Sequence, residues 1–329
     1  MAKALVLGAT GHIGAHLVRV LLKEGHAVRA AYRSERFLHL LDGLEVERIR
    51  LDLEDLFGFE KAAEECHWIF HAAGYYPRFT DDRDESVRHG IETTRRFFEA
   101  VRRCTAQRVV FTSSAATIRR VAGRAADEKD AESWPLDHWR PVYASVKVAM
   151  EQEALRAASE GMPVVIVNPA LCIGEYDAHP FSGKALLAFA KRPMPFYISY
   201  SFNVVYTGDV GVGHVRAAEK GKVGERYLLA CRNMTLKDFA ALCARTAGVR
   251  PPWIRLPYPA ALATAVATEF VAALTGREPV LPREAVRNGR FKQELDGSKA
   301  VRELGMPQTP VEEAVARAVS WFKQNGYLR

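Results

Sequence analysis

The stretch KALVLGATGHIGAHLVRVLLK, residues 3–23, runs from a short apolar segment through three glycines into a helical pattern. Gly8 permits a tight turn, Gly11 lets the backbone approach a pyrophosphate, and Gly14 allows the helix to pack closely on the strand. The helix N-terminus then faces the anion, with Thr10, His12 and Ile13 in the same turn. A lone glycine pattern carries little weight; its place between a strand and a helix gives it force. His12 and His16 stand four residues apart, but no third ligand accompanies them, so no metal site is expected.

The same rhythm continues outward. HAVRAAY, LEVERIR, HWIFHAA, QRVVFTSS and PVVIVNP read as further strands, separated by helical stretches such as TTRRFFEAVRRC. This alternation predicts an α/β fold, a Rossmann-type doubly wound parallel sheet with helices on both faces. After Pro169 the rhythm breaks into shorter mixed elements and ends in an amphipathic helix, TPVEEAVARAVSWFKQNG. The expected organisation is a dinucleotide-binding domain over 1–170 and a smaller, mixed substrate domain over 171–329. Part of 203–231 is expected to return to the first sheet.

Composition narrows the function. With 329 residues the chain can bury a sizeable core, and 48% hydrophobic and 26% charged residues are ordinary for a globular protein. The net charge of +7 comes from scattered pairs such as Arg95-Arg96 and Arg102-Arg103, interleaved with acids and without a nucleic-acid module. Nucleic acid is therefore not an expected partner, and an anionic small molecule explains the excess equally well. The five scattered cysteines and the absence of a signal-like leader point to a reducing cytoplasm. The Ala-rich stretch from Tyr258 to Gly276 is interrupted by Glu269 and is expected to be a buried or lid helix rather than a membrane segment, and a membrane is not an expected partner.

Three features suggest chemistry. The second strand ends Ala30-Ala31-Tyr32-Arg33-Ser34, with Arg36 close behind, where an NAD-binding fold usually carries a carboxylate for the ribose. Arg33 is placed for a 2′-phosphate, so NADP(H) is favoured over NAD(H); Asp52, ending the third strand, is a candidate for the adenine edge. Ser114 follows the fifth strand, at the carboxyl edge where such sheets bind ligands. Tyr143 and Lys147, four apart on a helix, share a face. A phenol ionises near ~10, and acid-base work at neutral pH asks for a shift of about three units, or ~4 kcal/mol. An ammonium at ~4 Å and an effective dielectric of ~20 supplies about that much.

Together these residues resemble the extended short-chain dehydrogenase/reductase superfamily, also called the NAD-dependent epimerase/dehydratase family. DLED after the third strand, FHAAG at the fourth, VVFTSSAA at the fifth and NPA after the sixth carry the resemblance beyond the glycine turn and the Tyr143/Lys147 pair. GKVGERYLLA, RNMTLKDFAALCARTAG, LTGREP and SWFKQNGYL are most similar to bacterial dihydroflavonol-reductase-like proteins and hopanoid-associated sugar epimerases. The resemblance implies a Ser114/Tyr143/Lys147 triad, with Lys147 also on the nicotinamide ribose. It implies cofactor contacts at Asp52, Leu53, Ala72, Ala73 and Pro169.

Several positions depart from the pattern. Gly90 and Thr93 stand where the family carries Asn and Gly, Tyr206-Thr-Gly208-Asp209 replaces its HVDD, and Arg119 replaces a polar residue of flavonoid reductases. These changes count against a plant-type flavonoid, and SSAA lacks the Thr and Asp-Glu pair of dehydratases. The expected activity is hydride transfer between nicotinamide and a carbonyl or secondary alcohol. The aromatic run Phe196, Tyr197, Tyr200 and Phe202 would suit an apolar substrate. The alternatives are a nucleotide-sugar epimerase, with Arg78, Arg119 and Lys184 meeting a diphosphate, and an idle NADP(H)-sensing protein. A homodimer is compatible with all three.

Overall fold

The computed structural model describes residues 1–52, 55–77, 81–133, 135–136, 141–275, 281, 283–288 and 294–328. Leu53 and Arg78 lie outside them. All six strands read from the sequence form, as β1 (Lys3–Leu7), β2 (Ala27–Tyr32), β3 (Glu47–Arg50), β4 (Trp68–His71), β5 (Arg108–Thr112) and β6 (Val164–Pro169). A seventh, β10 (Arg226–Leu229), pairs with β6, and the all-parallel sheet has the order β10-β6-β5-β4-β1-β2-β3.

Alternating side chains of each strand serve two cores, as a pleat of period two requires. Ala4 and Val6 of β1 pack with Leu17, Val18 and Leu21 of α1 (His12–Lys23) and Val210 and Val215 of α6 (Thr207–Lys220). Leu5 and Leu7 join the opposite core, with Phe97 and Val101 of α3 (Arg83–Arg102) and Val146 and Met150 of α4 (Val142–Ser159). Helix α2 (Leu56–Ala63) lies between β3 and β4 in the chain and adds Phe59, Ala62 and Ala63 to that second core. Burial on both faces explains why these strands read as near-continuous apolar runs.

The rest of the chain builds a smaller layer. Strands β7 (Leu171–Ile173), β9 (Ser201–Tyr206) and β11 (Arg232–Thr235) form a three-stranded sheet, and β8 (Phe196–Tyr197) pairs with β12 (Ile254–Arg255). Helices α5 (Gly183–Ala190), α7 (Leu236–Ala247) and α10 (Val311–Gln324) enclose its core, built around Leu186, Phe202, Phe239, Val315 and Phe322.

Two expectations are corrected here. Tyr200 and Phe202 stack on one another and Phe202 meets Phe239 edge-on, so this half of the aromatic run is core. The Ala-rich stretch does form a helix, α8 (Tyr258–Thr275), yet only Ala261 and Ala265 are buried, while Phe270 and Leu274 are 65% and 72% exposed. Its neighbour α9 (Arg283–Asn288) is six residues long and covers only that narrow stripe, through Val286.

Two buried imidazoles tie stability to pH. His71 is stacked on Phe111 and tilted against Phe97, and burial pushes it down to about 3. His214 bonds Thr112 Oγ1 at 2.9 Å and the Val210 carbonyl at 2.7 Å, and burial pushes it down to about 4. Both stay neutral in the folded chain but take up a proton once unfolded below about 6.5. The unfolded state then binds more protons, so each costs up to ~1.4 kcal/mol per pH unit as pH falls from 6.5 towards 4. Urea unfolding at pH 7, 6 and 5 should show His71→Phe losing stability more shallowly than the parent chain, by about that slope. Parallel pH slopes would show that His71 accepts its proton in the fold.

Candidate active site

The carboxyl ends of the parallel strands gather the residues singled out in the sequence. Gly8 adopts a left-handed φ of 76°, and a side chain there would meet the Ala72 carbonyl and Ala73 nitrogen at about 3 Å. A Cβ on Gly14 would lie 2.1 Å from the Gly8 carbonyl oxygen, so the turn closes on the helix only with glycine. Helix α1 has Gly11 as its N-cap, no capping side chain and no acid in its first turn. Its leading amides are thus arranged for an external anion. Arg33 and Arg36 are exposed just past β2, Arg36 lying over Phe37, and Asp52 is exposed just past β3. Pro169 ends β6.

His12 and His16 do not share a ligand position. His12 Nε2 pairs with Thr207 Oγ1 at 2.9 Å, and His16 Nε2 with the Glu175 carbonyl at 3.1 Å. Asp177 also faces His12, at 3.9 Å. The glycine turn is therefore braced from α6 and from the loop after β7, which composition alone does not indicate.

Helix α4 carries the central stripe. Tyr143, Lys147 and Glu151 are spaced i, i+4, i+8 and so lie on one side. Lys147 is 2% exposed, with Nζ packed over Gly74 and 5.2 and 5.9 Å from the ring centres of Tyr76 and Tyr143. Its ammonium has no hydrogen-bond partner among the described residues. Burial pushes it down to about 8, partly offset by Glu151.

The expected lowering of the Tyr143 phenol is not what the structure has. Burial pushes it up to about 12, and the nearby hydroxyls of Ser114 and Tyr76 draw it back only in part. Burial removes the water that would solvate a phenolate, and so disfavours the ionised form.

Sequence reasoning missed the neighbours that other elements bring in. Tyr76, past β4, stacks on Tyr143 at 5.6 Å, and Phe181, before α5, lies 4.7 Å from Tyr76 and 5.9 Å from Tyr143. Below them Glu151 is 1% exposed and accepts from Ser113, from Thr117 at 3.0 Å, from Asn168 at 2.6 Å and from Arg226. Asn168 also reaches the Ser114 carbonyl. A buried acid eight residues after Tyr143 was the available signal.

Two departures from the family pattern have structural explanations. A Cβ on Gly90 would lie 3.0 Å from Val146 Cγ1, so glycine lets α3 and α4 approach closely. Tyr206 donates to Glu175 at 3.1 Å under the Arg317 guanidinium, and Asp209 accepts from the Thr309 amide and hydroxyl, tying α6 to the start of α10. Of the cations considered for a diphosphate, Arg119 lies beside Asp130. Lys184 lines a separate groove of about 500 Å³ with Leu187, Ala188, Lys191, Arg192 and Met194.

A cofactor turn, a phenol–ammonium pair and a parallel sheet define a nicotinamide-dependent class, and comparison with known proteins agrees. Residues 4–230 match the NAD dependent epimerase/dehydratase family, and the chain belongs to it. It is 35% identical to a Synechocystis protein named "Putative dihydroflavonol 4-reductase", across 98% of this chain and 95% of the relative. It is 31% identical to sterol demethylase protein B of Methylococcus capsulatus, across 98% and 99%. A nucleoside-diphosphate-sugar epimerase from Pseudomonas aeruginosa superposes with a TM-score of 0.82 at 28% identity, across 100% and 99% of the two chains. The protein is an NAD(P)-dependent enzyme of reductase or epimerase type.

The Glu151–Arg226 pair should be strongly non-additive. Removing one partner of a buried pair strands the other charge, at ~3–5 kcal/mol. Arg226→Met should lose that much in urea unfolding, and Glu151→Gln with Arg226→Met should lose clearly less. Simple additivity of the single variants would show the two groups uncoupled.

Proposed function

We propose that the chain is an NADP(H)-dependent reductase of carbonyl compounds, the reverse reaction being oxidation of a secondary alcohol. The observation that carries this reading is the convergence of Ser114, Tyr143 and buried Lys147 beneath an uncharged aromatic wall of Tyr76 and Phe181. The first-turn amides would hold the pyrophosphate, Arg33 and Arg36 the 2′-phosphate, Asp52 the adenine side, and Lys147 the nicotinamide ribose. Ala72, Ala73 and Pro169 would pack beneath. The nicotinamide, when bound, supplies or accepts the hydride.

The residues of this chain would handle the oxygen. Ser114 Oγ orients the carbonyl, and Tyr143 donates its proton as negative charge develops there. Held up to about 12 by burial, the phenol is protonated at neutral pH, the state a proton donor needs. Lys147, at about 8, stays mostly charged at pH 7 and stabilises the phenolate left behind. Among the described residues the rings beside Tyr143 are Tyr76 and Phe181, an apolar lining that suits an apolar carbonyl compound. The second reading, a nucleotide-sugar epimerase, is favoured by the Pseudomonas structure. Oxidised cofactor carried tightly through purification would support it.

Tyr143→Phe should bind cofactor within a few-fold of the parent yet lose at least ~100-fold in kcat, the scale of general acid catalysis. Retained turnover in single-turnover reduction would remove Tyr143 from the mechanism.

Arg33 should set cofactor choice. A charge-assisted contact to phosphate contributes ~1.5–3 kcal/mol, so NADPH should bind about 10- to 100-fold more tightly than NADH. Fluorescence titration of Arg33→Ala should find most of that difference gone and NADH affinity nearly unchanged. Equal parent affinities would reverse the ranking of reductase over epimerase.

A further inference from the structure

We propose that α8 and its rim dock the protein on an anionic lipid surface, the helix lying along the interface. The outward face of α8 is made of Pro259, Ala260, Ala263, Thr264, Val266, Ala267, Phe270, Val271, Ala273, Leu274 and Thr275, with no charge among them. Val266, Phe270, Val271 and Leu274 are each about half exposed or more. Among the described residues α8 is the one helix long and apolar enough to cross a membrane, with a mean hydropathy of 1.3. An exposed helix of 18 residues with no outward charge is poorly matched to water.

The charge around it selects the occupant. Residues 178–208 and 239–268 build α5, β8, β12 and most of α8 and α7. They contain six cations, Lys184, Lys191, Arg192, Arg245, Arg250 and Arg255, and no carboxylate. All six are exposed. The two segments are joined where the Trp253 and Ile254 amides donate to the Pro195 carbonyl. Exposed Phe196, Trp253 and Ile254 stand at that junction, with the Arg250 guanidinium 4.3 Å over the Trp253 ring. Aromatic side chains and a cation-rich rim beside an apolar helix are the elements of an interfacial anchor. Phosphate headgroups complement such a rim. A second copy of this chain would set cations against cations.

The inward stripe decides between lying on the membrane and crossing it. Glu269 pairs with Arg283, whose amide also donates to it at 2.6 Å, and Thr268 donates to the Leu281 carbonyl at 2.9 Å. Ala261 and Ala265 pack beside Val286. A spanning helix would carry that ion pair into hydrocarbon, whereas an interfacial helix leaves it wet.

Co-sedimentation of the full chain with vesicles tests this. Binding should be clear with phosphatidylcholine containing 30 mol% phosphatidylglycerol, weak with phosphatidylcholine alone, and at least ~10-fold lower in 0.5 M salt. Arg250→Ala with Arg255→Ala should lower partitioning about 10- to 30-fold, at roughly fivefold per cation. Phe270→Ser with Leu274→Ser should abolish it without changing the thermal midpoint. Equal binding to neutral and anionic vesicles, or none to either, overturns the proposal. So does a dimer in analytical ultracentrifugation that the serine variant converts to monomer while the parent ignores vesicles.

Discussion

The Glu151 carboxylate is the point on which the catalytic face is hung. It is buried at the middle of α4, where an unpaired charge would be costly, and its donors come from three different strand ends. Ser113 and Thr117 follow β5, Asn168 belongs to β6 and Arg226 opens β10. A rotation of α4 by a fraction of a turn would break several of these bonds together. Tyr143 and Lys147 ride on the same stripe, so their direction is tied to the anchoring of this carboxylate. Ser113 and Ser114 divide the work: the first bonds the carboxylate and the second is left beside Tyr143.

What could be read from the chain follows from the range of each interaction. The strands and the glycine turn are local, with periods and spacings written in consecutive residues, and they appear where the pattern places them. The Tyr143–Lys147 proximity is likewise a property of one helix. Tyr76 and Phe181 are separated from Tyr143 by 67 and 38 residues, and nothing local brings them to its ring. The burial that raises the phenol is likewise a tertiary effect, which the spacing of Tyr143 and Lys147 does not contain. Glycine at position 90, where the family pattern has Asn, is a close contact between helices.

Elements from the second half of the chain reach the glycine turn directly. His12 is reached by Thr207 from α6 and by Asp177 from the loop after β7, while Asp177 also accepts from the Gly183 amide at the start of α5. Phe181, part of the aromatic wall, lies between those two residues in the chain. Asp177 thus stands between the glycine turn and the start of α5, touching both.

The aromatic wall and the bare face of α8 bear on one question, the polarity of what this enzyme handles. Among the described residues the rings around Tyr143 are Tyr76 and Phe181, with Lys147 Nζ 5.2 Å from the first. The cations of the smaller layer are gathered elsewhere, around α5 and β12, with exposed Phe196 and Trp253 among them. That separation has a simple physical reading. The proposed reductase site and the proposed docking face of α8 would together suit a substrate that partitions into lipid. Such a molecule is scarce in water, so an enzyme resting at the interface gains access by local concentration rather than by tighter binding.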